Sequence, residues 1–272
     1  HDIQRQHRVL LGKDLIALLP VDDSFYRAQV EHDLRAKLLR LRQKAAGMLS
    51  EDDLLRRLLV DSLSTFCVLF RHALVLHGET PTRFSDKGDR SVSLLFGDAG
   101  SATALEASDG PCADWHYALH TDGSAFESMI IESGGFRDRF GTDPRKHCVA
   151  MNGALIFNFT IKRVPALIDE TLNGAGMSVD DVDYFVFHQS NHYIIKHICS
   201  KKSLPATKVP ITLKEFGNTG GPSVPLTITE GGLARPADRP LRLLLLGYGV
   251  GLSWGSALVE LDPHAVLDHT EL

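Results

Sequence analysis

Residues 183–191 read DYFVFHQSN. Asp183 to Phe187, ending in four apolar residues, is too short for a helix and predicts a strand that runs straight into a histidine. A helix is expected to follow to about Lys202. Upstream, residues 152–176 predict one long helix with Phe157, Ile161, Val164 and Ile168 on a single face, glycines at its end, and a bend at Pro165. Downstream, Val209 to Leu213 predicts a short strand and Phe216 to Pro222 (FGNTGGP) a glycine-rich turn, with Pro222 where prolines open helices. Leu241 to Leu246 predicts a continuous apolar strand, and Gly247-Tyr-Gly-Val-Gly turns it into another over Leu252 to Leu261. Strands alternating with helices argue for an α/β protein with layered sheets.

The chain changes character near residue 90. Between Glu31 and Asp61, 13 of 31 residues are charged, and leucines recur at helical spacing (Leu34, Leu38, Leu41, then Leu54, Leu55, Leu58, Leu59), which predicts two amphipathic helices. His72 to Gly78 and Val92 to Gly97 predict strands, and Asp98-Ala-Gly then turns the chain into Ser101 to Glu106. Residues 107–150 are rich in Gly, Asp and Ser and read as irregular, with short strands such as Met129 to Glu132.

A chain of 272 residues, 43% hydrophobic and 23% charged, can bury a sizeable core in one large domain or two smaller ones. The formal charge of -5 gives no electrostatic case for nucleic acid as the main ligand. No apolar run is long enough to span a membrane, and His1 to Arg8 lacks the apolar core of a signal peptide. The four cysteines (67, 112, 148, 199) and 13 histidines form no CxxC, HExxH or paired Cys/His pattern. The expectation is a cytoplasmic protein with free thiols and no structural metal.

Three segments place polar groups where apolar strands stop, the usual position of α/β active sites. These are His188, Asn218 in FGNTGG, and Gly249-Val250-Gly251, whose amides could bind a developing oxyanion. Each also has a purely structural reading. A histidine after a strand is often only a hydrogen-bonding group, an asparagine among glycines is often a left-handed turn residue, and glycine turns between strands are common.

In combination these segments resemble a known family. FGDAGS (96–101) is similar to the FGDGAG strand-turn of the β-ketoacyl-ACP synthase III group of decarboxylating condensing enzymes, in the thiolase superfamily. MNGALIF (151–157) resembles the start of that group's central helix, HQSN (188–191) its catalytic-histidine motif HQAN, and EFGNTGGPSVPL (215–226) its catalytic-asparagine motif YGNTSAASIPL. LLLGYGVGLSWGSALV (244–259) resembles its terminal hairpin. All five occur in the family's order.

The resemblance implies an α/β fold of thiolase-like αβαβα layers with two pseudo-equivalent halves. Residues 1–110 would be the N-terminal half, nucleophile-bearing in relatives and incomplete here, and residues 111–272 the C-terminal half with the His/Asn pair. It further implies that His188 and Asn218 bind a malonyl thioester carbonyl and stabilise the enolate left by decarboxylation. Gly249 and Val250 would contribute the oxyanion hole for acyl transfer, and Asn191 and Gly153 would contact a pantetheine arm. The implied substrates are CoA or phosphopantetheine thioesters, with no further cofactor. The implied partners are acyl carrier protein or acyl-CoA, with His192, Lys196 and Arg163 on the side of the acidic carrier, and a second subunit in a homodimer or a heterodimer.

The family's nucleophile is a cysteine flanked by small residues, as in GCSGF. The one candidate in the first half is Cys67, in VDSLSTFCVLF (60–70), where Phe66 stands for the glycine and Val68-Leu69 for Ser-Gly. Only Arg71 separates this stretch from HALVLHG, where relatives have a full helix. Three explanations fit: a stretch before residue 90 is missing, the chain is a nucleophile-less partner of an active subunit, or its first half has diverged. Cys67 is equally readable as a buried structural thiol.

Overall fold

A computed structural model describes residues 72–90, 92–106, 113–135, 138–236 and 238–270, with scattered positions at 32, 35–36, 39–45, 54 and 57–58. The chain divides into two compact units, His1–Leu74 with Ala104–Ala107, and Val75–Thr103 with Ser108–Leu272. In the first unit, all the described positions between 32 and 58 are helical, within the stretches where leucine spacing predicts helices. Cys67 and Cys112 lie outside the described residues.

The second unit is built on a four-stranded sheet with strand order β3-β8-β7-β6. Its strands are β3 (His116–Thr121), β6 (Tyr184–Phe187), β7 (Leu241–Gly249) and β8 (Ser253–Leu261). β6 runs parallel to β7, while β8 pairs antiparallel with β7 on one side and β3 on the other. β7 buries Leu241, Leu243, Leu244 and Leu246, so side chains on both of its faces are covered; that is why it reads as an unbroken apolar run. Two smaller pairs accompany this sheet, β1 (His72–Glu79) with β2 (Ala99–Glu106), and β4 (Met129–Ile131) with β5 (Val149–Met151).

The long helix is observed as α1 (Gly153–Ala175). Asn152 caps it, its Oδ1 accepting from Leu155 N at 3.1 Å, and Gly176 closes it in the left-handed conformation at φ 65°. Its buried face, including Val164, Leu167, Ile168 and Leu172, joins Phe185, Phe187, Leu244, Leu246 and Leu258 in one core. Pro165 lacks the N–H that would bond Ile161 O, and Lys201 Nζ donates to that freed carbonyl at 3.5 Å. Lys201 comes from α2 (His192–Lys202), which adds Ile194, Ile195 and Ile198 to the core.

Three sequence expectations need correction. Val92 to Leu95 is a turn, with Val92 N and Ser93 N both donating to Asp89 O, and only Phe96 pairs, in a single parallel bridge to Asn218. Val209 to Leu213 is no strand either: Thr212 N donates to the Gln189 side-chain oxygen at 3.1 Å, so a buried amide replaces the strand partner. A short helix α3 (Leu213–Phe216) follows. Within the stretch expected to be irregular, β3 is an edge strand that buries only Ala118, which leaves it without an apolar signature. α4 (Ser223–Glu230) opens after Pro222 as expected.

Candidate active site

The expected site residues outside the first unit converge. His188, Asn218, Asn191, Gly153, Gly249 and Val250 all line one cavity of about 1140 Å³. Its apolar lining includes Phe84, Leu95, Phe96, Met129, Ile131 and Phe157. The remaining expected site residue, Cys67, is the one that lies outside the described residues.

His188 follows β6, and its N–H donates to Leu246 O at 2.7 Å, which extends the parallel ladder one residue and fixes the ring's backbone. The ring is held on two sides. Its Nδ1 lies 2.7 Å from Ser223 Oγ at the start of α4, and the Tyr248 ring packs edge-on at 5.4 Å and 78°. Removal from water pushes the imidazole down to about 4, against an opposing influence of the Gly220 backbone. The ring is therefore neutral at physiological pH, with one N–H and one lone pair. Ser223 Oγ also accepts the Gln189 N–H at 3.3 Å; when its own hydrogen turns to Nδ1, the ring proton sits on Nε2.

Asn218 is held by the segment that failed to form a strand. Its N–H donates to Leu95 O and its carbonyl accepts from Gly97 N, both at 2.9 Å. Gly97 is obligatory there, since a Cβ would lie 1.9 Å from Phe216 O. The buried side chain accepts from Gly220 N at Oδ1, 3.0 Å. Because an N–H can only donate, the other end of the carboxamide is fixed as the NH2 group. Asn218 is not a left-handed turn residue; Gly217 and Gly220 take the positive φ of 67° on either side.

Gly249 ends β7, and Val250 tops the turn with its side chain 59% exposed at the cavity rim. No acceptor among the described residues takes the Val250 N–H. Asn191 caps α2 through Oδ1 to Tyr193 N at 2.8 Å, which turns its NH2 outward. At Gly153 a Cβ would meet nothing within 4 Å, leaving bare backbone at the start of α1. Arg163 sits over the Trp254 ring at 4.9 Å and lies 3.8 Å from Asp122, so it is already engaged.

Sequence reading missed Tyr248 and Glu79 at this cavity, and Ser223, which holds the His188 ring. Tyr248 Oη donates to His188 O at 3.2 Å and pairs with Ser190 Oγ at 3.0 Å, and burial raises its phenol further above the usual range. Its place in GYGVG was the available signal. Among the described residues no cluster of His, Cys, Asp or Glu could hold a metal ion, and no helix is long and apolar enough to cross a membrane.

The chain is similar to known proteins in sequence and in structure. A family model described as 3-oxoacyl-[acyl-carrier-protein] synthase III matches residues 67–123, beginning at Cys67, and the model of that enzyme's C-terminal part matches residues 172–261. The chain is 33% identical over 199 residues to a β-ketoacyl-[acyl-carrier-protein] synthase III of Streptococcus gordonii, covering 71% of this chain and 60% of the relative. A 3-oxoacyl-(acyl-carrier protein) synthase from Burkholderia xenovorans is similar in structure, with TM-score 0.69 and 39% identity over 78% of this chain and 62% of that one. The priming β-ketosynthase of the R1128 polyketide pathway aligns with TM-score 0.61 and 29% identity, over 71% of this chain and 58% of that one. The chain thus spans about 60% of the length of such relatives.

Proposed function

Because the chain belongs to the β-ketoacyl-ACP synthase III family of the thiolase superfamily, we propose that it is an acyltransferase joining an acyl thioester to a malonyl thioester with loss of carbon dioxide. One observation carries this reading. His188 and Asn218 meet in one cavity, each with one polar end tied to the scaffold, which leaves the ring Nε2 and the carboxamide NH2 to meet a substrate oxygen.

Decarboxylation breaks the bond to the malonyl carboxylate, and the electron pair moves into the thioester to give an enolate while carbon dioxide leaves. Negative charge collects on the thioester oxygen. Two neutral, prearranged donors stabilise that oxygen most where water is excluded. A neutral His188 suits the task, since it can carry an N–H donor into a dry pocket without the cost of burying a charge. The enolate carbon then attacks the acyl carbonyl and expels the thiolate that carried it.

We assign the acyl group to Cys67, where the family match begins, and the oxyanion of acyl transfer to the Gly249–Val250 turn. Asn191 and Gly153 flank the path of the pantetheine arm, and the apolar wall from Met129 to Ile131 receives the acyl chain. The donors are CoA or carrier-protein thioesters, with exposed Lys196 and His192 on α2 facing the acidic carrier, and the working form is a homodimer. The experiment is intact-mass analysis of the full chain with acyl-CoA thioesters, followed by malonyl-ACP. An acyl adduct lost in Cys67→Ala, chased to a β-ketoacyl product by the malonyl thioester, supports the reading; no adduct and no product overturns it.

A further inference from the structure

Asn218 points its amide correctly only while the Gly220–Gly221 turn holds its shape, because Gly220 N anchors Asn218 Oδ1. Two consecutive glycines restrain that turn poorly, since neither has a side chain to limit its backbone. This pair stands where the similar family motif carries Ser-Ala. The α4 end is tied by Ser223 N to Gly220 O at 3.2 Å. At the other end lies Glu79, the last residue of β1, whose Oε1 accepts from Gly221 N at 2.8 Å.

The carboxylate also fills the space that side chains would take. A Cβ on Gly220 would lie 1.9 Å from Glu79 Oε2, and one on Gly221 would lie 2.8 Å from Oε1. Acceptor and bare glycines are thus a matched set. A side chain on either glycine would displace the Glu79 carboxylate, and with both glycines present the turn depends on Glu79 for restraint. Glu79 also lines the cavity wall beside Asn218.

We propose that Glu79 is a positioning residue: it fixes the Gly220–Gly221 turn, and through it the direction of the Asn218 amide. Its contribution to turnover rests on the function proposed above, whereas the anchoring itself does not. The substitution Glu79→Gln keeps a carbonyl acceptor for Gly221 N, and Glu79→Ala removes it. A Cβ at position 221 pushes the carboxylate off Gly221 N in the native chain; once the carboxylate is gone the near neighbour is His77 Nδ1, at 3.2 Å.

The test takes the full chain with Glu79→Ala, Glu79→Gln, Gly221→Ala and the double variant Glu79→Ala/Gly221→Ala. It measures amide exchange at Gly221 and malonyl-thioester decarboxylation. In Glu79→Ala, we expect Gly221 exchange to rise and kcat to fall about tenfold, the worth of one such hydrogen bond, at nearly unchanged KM. Glu79→Gln restores both, and Gly221→Ala is harmful alone yet adds nothing to Glu79→Ala. Gly221 exchange that is unchanged in Glu79→Ala overturns the proposal whatever the activity does. A Glu79→Gln variant as impaired as Glu79→Ala also overturns it, by showing that charge rather than anchoring matters. If Gly221 exchange rises but the wild-type chain releases no carbon dioxide, the anchoring stands and the proposed function fails instead.

Discussion

Ser223 Oγ lies 2.7 Å from His188 Nδ1, and the same oxygen accepts the Gln189 N–H. One buried hydroxyl therefore holds the orientation of the imidazole, and by turning its own hydrogen to Nδ1 it would select the Nε2–H tautomer. Ser223→Ala should leave Nδ1 unsatisfied, slow decarboxylation about tenfold through kcat, and mix the two tautomers. Nitrogen-15 chemical shifts of the ring read the tautomer directly, with Ser223→Thr keeping the native pattern. A native tautomer in Ser223→Ala would count against this role.

The neutral state of His188 predicts an unusual pH response. Its folded value of about 4 lies below the ordinary 6.5, so between the two the unfolded chain binds the extra proton and the folded chain does not. Stability from this ring is thus complete above about 6.5 and is lost as pH falls from there towards 4. Ring-proton shifts should show no titration near 6.5, and activity should stay level as pH drops through that value. A step in either near 6.5 would contradict the buried, neutral ring.

Asn218→Asp should be more damaging than Asn218→Ala. The aspartate can still accept from Gly220 N, but it turns a second oxygen, with its negative charge, towards the growing enolate. Removing one such donor typically costs about 100- to 1000-fold, and an added repulsion should exceed that loss. Equal rates for the two variants would mean that the carboxamide is not aimed at developing charge.

Much of this site was legible in the sequence because its residues sit where apolar strands end. DYFVF made a strand and left His188 at its tip, and LLLLGYG did the same for Gly249. The failures share a physical cause. VSLLFG has the composition of a strand, yet its backbone is spent on turns and on a single bridge that holds Asn218. VPITL lost its ladder to the Gln189 amide, an interaction between residues far apart in sequence that no local pattern records. Glu79 escaped notice for the same reason, since its partner lies 142 residues away.

That bridge also yields a stability prediction. Gly97→Ala forces a Cβ against Phe216 O, and the backbone must shift by more than a rotamer change can absorb. The variant should lose about 1–3 kcal/mol in denaturant unfolding and most of its decarboxylation, because the displaced loop carries Asn218. Native stability in Gly97→Ala would show that the close approach is not a real constraint.

The most direct measurement is carbon dioxide release from a malonyl thioester by the full chain, without an acyl donor, compared among wild type, His188→Ala and Asn218→Ala. Release by the wild type that falls about 100- to 1000-fold in each variant, with folding intact, is the result expected if these two donors stabilise an enolate. Background release by the wild type, or wild-type rates in both variants, would contradict it.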